Sequence, residues 1–203
     1  MTIRRGQDWA TNGPLAAGAA VLSTDAELRH HVEAARRVGA IPTEVGLLGG
    51  DLCRTLGGPG RRDRLDGAEA VRAPIDVVRA ELDGRPHWFV AHLVAHRRWW
   101  QGEGAVAMNA EWLGDWKLGP KAHPNDGLVD VTSGSLPWRQ RREAARRAPT
   151  GTHLPHPRLT VRRARSHTLV FARPTPVWLD GEQLAPVRRI ELVVEPDTLV
   201  VVL

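Results

Sequence analysis

Short apolar runs separated by polar segments form the first part of the chain. The apolar run 19–23 predicts a short buried strand, and the polar-rich segment 24–39 after it predicts a helix. Thr24 and Glu27 have the spacing of a capping box, and Gly39 is a typical helix stop. This first unit is therefore expected to be a strand followed by a helix.

A second, similar unit follows directly. The run 42–50 predicts another short strand that ends in a glycine turn. The segment 51–57 predicts the start of a helix, with Asp51 as its expected N-cap. Residues 1–57 are thus expected to form a very short α/β unit of alternating strands and helices.

The pattern changes after a Gly- and Arg-rich segment, 58–70, which has no apolar period and is expected to be a linker or surface loop. Beyond it, apolar runs alternate with Asp-Gly and Pro-Asn-Asp-Gly turn signals, as in antiparallel sheets. The one clear helix of this half, 137–148, has a dense basic face.

These patterns together predict an α+β fold. We expect a small, truncated α/β part at 1–57, a linker at 58–73, and a mainly antiparallel β-sandwich domain at 74–203. No internal repeat and no low-complexity segment modify this organisation.

Composition places the chain among ordinary globular proteins. Its 203 residues are 42% hydrophobic and 25% charged, and no apolar run approaches the ~20 residues that span a bilayer. Asp8 and Asn12 interrupt the N-terminal apolar stretch, which argues against a signal peptide. The single Cys53 excludes an internal disulfide and fits a reducing compartment. We therefore expect a cytoplasmic protein, either free or bound peripherally at the inner membrane surface.

The net charge of +5 comes almost wholly from arginine and favours anionic partners, such as an acidic lipid surface, a phosphorylated small molecule or nucleic acid. The basic helix 137–148 could contact DNA or RNA, but no recognised nucleic-acid motif accompanies it. A basic helix face of this kind is commonly just exposed to solvent. If it has a function, contact with an anionic membrane is a more coherent explanation than contact with nucleic acid. Nucleic acid is therefore the remote alternative.

The segment 177–184 places two carboxylates, Asp180 and Glu182, on either side of Gly181. Asp-Gly between strand-like runs is a strong hairpin signal, because both residues tolerate positive φ. A simple turn and a chemical role are both compatible with this local pattern. A zinc site at His92 and His96, on one face of a predicted strand, would need further ligands that the sequence does not identify.

Four stretches of the second half, taken in order, resemble the C-terminal domain of the diacylglycerol kinase and sphingosine kinase superfamily, which includes bacterial lipid kinases. Residues 106–131 resemble its strand–Asn and Pro-x-Ala-x-Pro-x-Asp-Gly-x-x-Asp segment, and residues 151–165 resemble its Gly-x-His block. Residues 177–184 resemble its Asp-Gly-Glu turn, and residues 190–203 resemble its closing strands.

The first half carries a weaker form of the same resemblance. Asp51 and Arg54 match the family's Gly-Thr-Gly-Asn-Asp-x-x-Arg segment, and Gly49 matches one of its glycines. Asp25 matches the Asp of the Gly-Gly-Asp-Gly-Thr nucleotide loop, whose glycines are replaced here by Ser, Thr and Ala. The strand–helix units that precede this loop in the family are missing.

The resemblance implies transfer of the γ-phosphoryl group of ATP to a lipid hydroxyl. It implies that Asp180 is the general base and that Glu182, close by, assists it in proton transfer. It also implies that Asp25, Gly49 and Asp51 bind the nucleotide.

For the metal, the resemblance implies that Asp126 belongs to a Mg²⁺ network, in which backbone oxygens of its turn complete a structural site. Asp130 is a weaker candidate for the same turn. ATP and Mg²⁺ are thus the expected cofactors, and a lipid or an anionic membrane surface is the expected partner.

The loss of the loop glycines weakens the phosphate cradle, because glycine lets backbone N–H groups approach a polyphosphate closely. A non-catalytic family member that binds lipid or a partner protein is therefore the alternative function. Association is a further expectation, either as a homodimer or with a partner chain that completes the nucleotide site, because a short sheet leaves edge strands whose unpaired backbone groups another chain can cover.

Overall fold

One curled β-sheet connects both halves of the chain. The computed structural model describes residues 9–97 and 102–203. The helices are α1 (Asp25–Arg37), α2 (Gly50–Thr55), α3 (Arg62–Leu65) and α4 (Trp138–Arg147), with a 3₁₀ turn at Ala148–Thr150. The strands are β1 (Thr11–Asn12), β2 (Ala20–Leu22), β3 (Val45–Leu47), β4 (Val71–Leu82), β5 (Arg85–Phe89), β6 (His92–His96), β7 (Gly104–Met108), β8 (Val129–Gly134), β9 (Leu159–Ala164), β10 (Ser166–Leu179) and β11 (Glu182–Val202).

The main sheet has the strand order β1-β4-β11-β10-β6-β7-β8-β9, and all of these neighbours pair antiparallel. The expected mainly antiparallel, β-sandwich-like fold is therefore confirmed. Strand β5 pairs with β4, as the second strand of the Asp-Gly hairpin that the sequence predicts. Register shifts interrupt the pairing of β11 with β10 and with β4, and bulges of this kind bend the strands of a sheet.

Strand β11 links the small α/β part to the sandwich. It is 21 residues long; its first half pairs with β10, and its last residues pair in parallel with β3. Strand β2 then extends this edge by pairing in parallel with β3. The α/β part is therefore hydrogen-bonded into the same sheet as the C-terminal domain.

Two large apolar clusters lie within this fold. One lies within the sandwich and includes Phe89, Leu93 and Leu179. The other packs α1 and α2 against the sheet, through residues such as Leu28 and Leu52. Since the two clusters meet along β4 and β11, the N-terminal helices are held over one end of the sandwich.

The elements of the first half follow the sequence pattern closely. Helix α1 has the expected cap, because Thr24 Oγ1 accepts from the Glu27 amide and the Glu27 carboxylate accepts from the Ser23 amide. The segment 58–73, expected as a linker, instead contains α3 and the first residues of β4. Leu65 and Ala70 of this segment are buried in a small cluster of their own, which explains why it is ordered.

None of the helices in the described ranges has the length and apolar character that a membrane crossing requires. Asp8, on which part of the argument against a signal peptide depends, lies outside the described residues.

Candidate functional site

A cluster of ionisable side chains forms where the α/β part meets the sandwich. Asp25 comes from the first turn of α1, Asp51 from α2, His92 from the start of β6, and Asp180 from the turn between β10 and β11. All except Asp51 are buried, and Asp51 is half-buried. Four elements that are distant in sequence thus converge on one site.

Asp25 occupies the N-terminal end of α2. Its carboxylate accepts hydrogen bonds from the backbone amides of Asp51, at 2.6 Å, and Leu52, at 3.2 Å. The expectation that Asp51 is the N-cap is wrong, because the cap position is Gly49 and its missing side chain is replaced by that of Asp25. Because Asp25 and Asp51 are 26 residues apart, no local sequence pattern indicates this cap.

Two glycines make this close approach possible. Gly50 has φ +91°, and a Cβ built on it would lie 2.4 Å from Oδ1 of Asp25. A Cβ on Gly49 would lie 2.5 Å from the backbone oxygen of Ser23. Gly49, expected to contact the nucleotide, therefore has a clear packing role, and its nucleotide contact stays a prediction.

Asp51 joins the cluster to the sandwich. Its Oδ2 lies 3.0 Å from Nε2 of His92, and both of its carboxylate oxygens accept from the amide of Gly114 at 3.0 Å. The His92 side chain is 7% exposed, and its Nδ1 has no hydrogen-bond partner within residues 9–97 and 102–203. His92 was noted in the sequence only as half of a possible zinc pair with His96, which instead stacks on Trp178.

The turn at Asp180 is a hairpin turn, as its local sequence predicts, with φ +48° at Asp180 and +87° at Gly181. Its carboxylate also accepts from the backbone amides of Val90, Ala91 and His92, each at 2.9 Å. These bonds fix the segment that carries His92. The buried Asp180 side chain therefore has a defined positioning role.

Glu182 contacts a different group of residues. Its Oε2 accepts from the guanidinium of the buried Arg29 and lies 2.9 Å from Nε2 of His30. Arg29 also bonds Glu33, one turn further along α1. Because Asp25 and Arg29 are four residues apart, they share a helix face, so Glu182 is placed beside the acidic cluster. No local sequence pattern singles out Arg29.

The pKa values of the carboxyl groups in the cluster are shifted in different directions. Burial and then the charge of Asp180 raise the pKa of Asp25 to about 7. Burial also raises the pKa of Asp180. For Asp51, burial acts upward, but hydrogen bonds from His92 and the Gly114 amide outweigh it and lower the pKa. The pKa shifts therefore favour the ionised form at Asp51 and the protonated form at Asp25 and Asp180.

The pKa of His92 is raised. Burial acts downward, but the hydrogen bond to Asp51 and the charges of Asp180, Asp51 and Asp25 together exceed it. The cluster thus places three carboxyl groups around one buried imidazole, and their charges and the hydrogen bond to Asp51 favour the protonated ring.

Asp126 lies in a separate group of residues. Its Oδ1 accepts from the Leu128 amide, and its Oδ2 accepts from the guanidinium of Arg163, which also pairs with Asp130 at 3.1 Å. The buried Asp76 lies next to this turn and accepts from the Gly127 amide at 2.6 Å. The structure therefore does not bring Asp126 to the cluster of Asp25 and Asp51, and its metal role stays a prediction.

A largely apolar cavity of about 450 Å³ lies between α4 and strands β7 and β8. Its walls include Val106, Trp116, Leu118, Leu136, Ala144 and Leu159. The volume is in the range of small-molecule sites, and the lining is suited to hydrocarbon. The sequence predicted helix α4 but gave no sign of the cavity beneath it.

Comparison with known proteins shows what the chain is similar to. The family model described as the YegS C-terminal NAD kinase beta sandwich-like domain matches residues 71–203. A search of curated proteins found no match.

Three solved structures from Bacillus anthracis str. Sterne have a similar fold, each at 14% sequence identity. A putative diacylglycerol kinase has a TM-score of 0.70, with 89% of this chain and 76% of that chain covered. One described as a diacylglycerol kinase has a TM-score of 0.64, with 89% and 74% covered. Another putative diacylglycerol kinase has a TM-score of 0.67, with 90% and 76% covered. Together with the family match, this confirms the resemblance to the diacylglycerol and sphingosine kinase-like superfamily.

Proposed function

From the premise that the chain belongs to the family of the YegS C-terminal NAD kinase beta sandwich-like domain, we propose that it is a lipid kinase. In this proposal ATP donates its γ-phosphoryl group and the hydroxyl of a diacylglycerol-like lipid accepts it. One observation carries the proposal: a single loop connects the acidic cluster to the apolar cavity.

This connecting loop runs from residue 111 to residue 119. Its Gly114 amide donates to Asp51, while its Trp116 and Leu118 line the cavity. The backbones of Leu113 and Trp116 pair across the turn, so both functions are on one small ordered structure. A lipid whose hydrocarbon fills the cavity would therefore place its polar end toward the carboxylates.

Exposed residues of α4 beside the cavity suit a membrane, and Trp138 and Arg142 are among those that line it. Trp138 is 57% exposed, and the guanidinium groups of Arg139 and Arg142 lie 5.7 and 5.8 Å from its ring. Tryptophan and arginine prefer the interface between headgroups and hydrocarbon, and arginine also attracts anionic lipid. Since α4 covers the cavity, a docked membrane would lie beside its lining.

The cluster also fits the expected cation. Carboxylate oxygens of Asp25 and Asp51 are the hard ligands that Mg²⁺ prefers, and they lie within 4.8 Å of each other and of a ring nitrogen of His92. When bound, the cation would supply charge neutralisation for the transferring phosphoryl group. Asp25 and Asp51 would bind and orient it on the nucleotide side of the site.

Glu182 is better placed than Asp180 to accept the proton. Both oxygens of the buried Asp180 accept backbone amides, whereas the Glu182 side chain is 45% exposed beside the cluster. In the proposed step the lipid oxygen bonds to the γ-phosphorus, the bond from that phosphorus to the β,γ-bridging oxygen breaks, and the hydroxyl proton passes to Glu182. Asp180 then positions His92, and Arg29 positions Glu182.

A second candidate function is lipid binding without phosphoryl transfer. It is favoured by the capping box, in which Glu27 accepts from the Ser23 amide at 2.6 Å and Thr24 accepts from the Glu27 amide at 3.1 Å. Two backbone donors in the loop expected to hold phosphate are thus already used by the chain's own side chains. A nucleotide would have to compete with them.

The test is incubation of the protein with radiolabelled ATP, Mg²⁺ and diacylglycerol in mixed micelles, followed by separation of the phosphorylated lipid. The wild type is expected to form product, and Glu182→Gln is expected to lower the rate by at least ~100-fold, because a positioned proton acceptor contributes about that much. Glu191→Gln is the matched control, since Glu191 lies on the same strand and forms an exposed ion pair with Arg189.

Equal rates in Glu182→Gln and wild type would remove Glu182 from the mechanism. The absence of product in wild type, together with binding to diacylglycerol-containing vesicles, would favour the second candidate function.

A further inference from the structure

Two neighbouring histidines of α1, His30 and His31, contact different groups. Nε2 of His30 lies 2.9 Å from Oε2 of Glu182, which is 152 residues further along the chain. Nε2 of His31 lies 3.3 Å from the backbone oxygen of Thr43. Of this pair, His30 is therefore the one that reaches the carboxylate to which the proposed reaction gives its proton.

Arg29 forms a triangle with His30 and Glu182. Its Nη2 donates to Oε2 of Glu182 and lies 2.9 Å from Nε2 of His30. Since a guanidinium can only donate, the ring nitrogen accepts from it, and the neutral ring then carries its own proton on Nδ1. The Arg29 side chain is 3% exposed and is also fixed by Glu33. Arg29 thus holds two acceptor atoms of different residues side by side.

The third side of this triangle has room for one proton. Oε2 of Glu182 and Nε2 of His30 are 2.9 Å apart, which is a hydrogen-bond distance. When both atoms accept from Arg29, neither provides a hydrogen to the other. One added proton, on either atom, turns their contact into a hydrogen bond, and bonds of this kind that involve a charged group are the strong ones. The three side chains are therefore arranged to receive a proton.

The position of His30 suits the removal of that proton to solvent. Its side chain is 52% exposed, next to a Glu182 side chain that is 45% exposed. Imidazole is the side chain that ordinarily gains and loses a proton near neutral pH, whereas a carboxylate is a weak base there. Transfer from the carboxylate to the ring therefore completes the removal of the proton from the acceptor oxygen.

We propose that His30 is the second proton acceptor of the site, which takes from Glu182 the proton of the lipid hydroxyl and passes it to water. In this step the O–H bond of the Glu182 carboxyl breaks and an N–H bond forms at Nε2 of His30. Glu182 returns to the carboxylate and the ring becomes an imidazolium, which then loses one proton to water. The inference rests on the proposed function, and His30 acts through Glu182 without contacting the lipid.

The test is the rate of lipid phosphorylation in mixed micelles for His30→Ala, His30→Gln and the matched control His31→Ala. We expect His30→Ala to be at least ~10-fold slower than wild type, because acid–base groups contribute that much or more. His30→Gln should be similarly slow, since its amide N–H can still donate to Glu182 but cannot carry a proton. His31→Ala, one residue along the same helix, should keep the wild-type rate.

Added imidazole separates proton transfer from a structural role. It should raise the rate of His30→Ala in proportion to its concentration, because it can occupy the vacated space and accept the proton, and it should not change His31→Ala. A wild-type rate in His30→Gln, or no recovery of a slow His30→Ala, would overturn this inference while an active wild type upholds the proposed function. No lipid phosphorylation by the wild type would instead overturn the proposed function, and the role of His30 with it.

Discussion

Nε2 of His92 and Oδ2 of Asp51 lie 3.0 Å apart, and this contact joins the two halves of the protein at the candidate site. His92 belongs to the sandwich, at the start of β6, and Asp51 belongs to the first turn of α2 in the α/β part. Each is held by a further residue: Asp180 accepts from the His92 amide, and Asp25 accepts from the Asp51 amide. The site therefore depends on the docking of one part of the chain against the other.

Asp180→Asn is expected to destabilise the fold, because the amide can present only one acceptor oxygen to the three backbone donors that the carboxylate now satisfies. Unsatisfied buried donors cost about 1–3 kcal/mol each, so the free energy of unfolding should fall by roughly 2–4 kcal/mol. Denaturant unfolding followed by circular dichroism measures this change.

Asp83→Asn provides the matched control for that variant. Asp83 has the same φ of +48° and also precedes a glycine at a hairpin turn, but its bonds to the amides of Arg188 and Arg189 are exposed. It should cost less than about 1 kcal/mol, since water can replace the lost acceptor. Equal losses in the two variants would contradict the positioning role of Asp180.

Gly50→Ala should disrupt the contact between the α/β helices. The added Cβ would lie 2.4 Å from Oδ1 of Asp25 and would also strain a backbone with φ +91°. Gly57→Ala is the control, because Gly57 has a similar φ of +76° but no heavy atom within 4 Å of the new Cβ. Both should lose about 1 kcal/mol from strain, and Gly50→Ala should lose roughly 1–3 kcal/mol more from overpacking. Equal stability by thermal unfolding would be inconsistent with this close contact.

The stability of the protein should depend on pH through Asp76. Burial raises the pKa of this carboxyl to about 6, partly offset by the Gly127 amide. A folded-state pKa above the unfolded value means that the folded protein binds the proton more tightly. Between about pH 4 and 6 its contribution to the free energy of unfolding should therefore decrease as pH rises, by on the order of 2–3 kcal/mol.

The measurement for Asp76 is the difference between the stability curves of wild type and Asp76→Asn over pH 4 to 7. Asparagine keeps one acceptor oxygen but does not titrate, so the difference should change across that window and then level off. A constant difference from pH 4 to 7 would show that Asp76 titrates at its ordinary value.

Binding to anionic vesicles should depend on α4. Neutralising Arg139 and Arg142 together, each to Gln, should weaken binding by roughly 30-fold at moderate salt, because each arginine near the surface contributes about 1 kcal/mol. Neutralising Arg62 and Arg64 of α3 in the same way removes the same charge from another exposed surface. Vesicle co-sedimentation compares the two variants, and a similar loss in both would indicate attraction by net charge alone.

Much of the fold was predictable from local sequence. The Thr24–Glu27 capping box, the Asp-Gly turns and the basic helix 137–148 depend on residues close together in the chain, so their patterns are readable. The resemblance in the second half likewise correctly indicated the sandwich. The ordered segment 58–73 was missed because its buried Leu65 and Ala70 pack against Val202, which lies far along the chain.

The site was only partly predictable, for the same physical reason. Asp25, Asp51 and Asp180 were identified through family motifs, and the structure brings them together. His92 and Arg29 were not assigned to the site, because a histidine in an apolar strand and an arginine in a helix have no distinctive local signal. Their roles arise from contacts with residues 41 and 153 positions away, respectively.

The central claim is that the apolar cavity and the acidic cluster are two halves of one lipid-phosphorylating site. The most direct test is the rate of lipid phosphorylation as a function of diacylglycerol concentration for wild type and Ala144→Phe, whose larger side chain would fill the cavity that Ala144 lines. The account predicts activity in wild type and at least a tenfold lower rate at low lipid concentration in the variant. Identical concentration curves, or no lipid phosphorylation by the wild type, would contradict it.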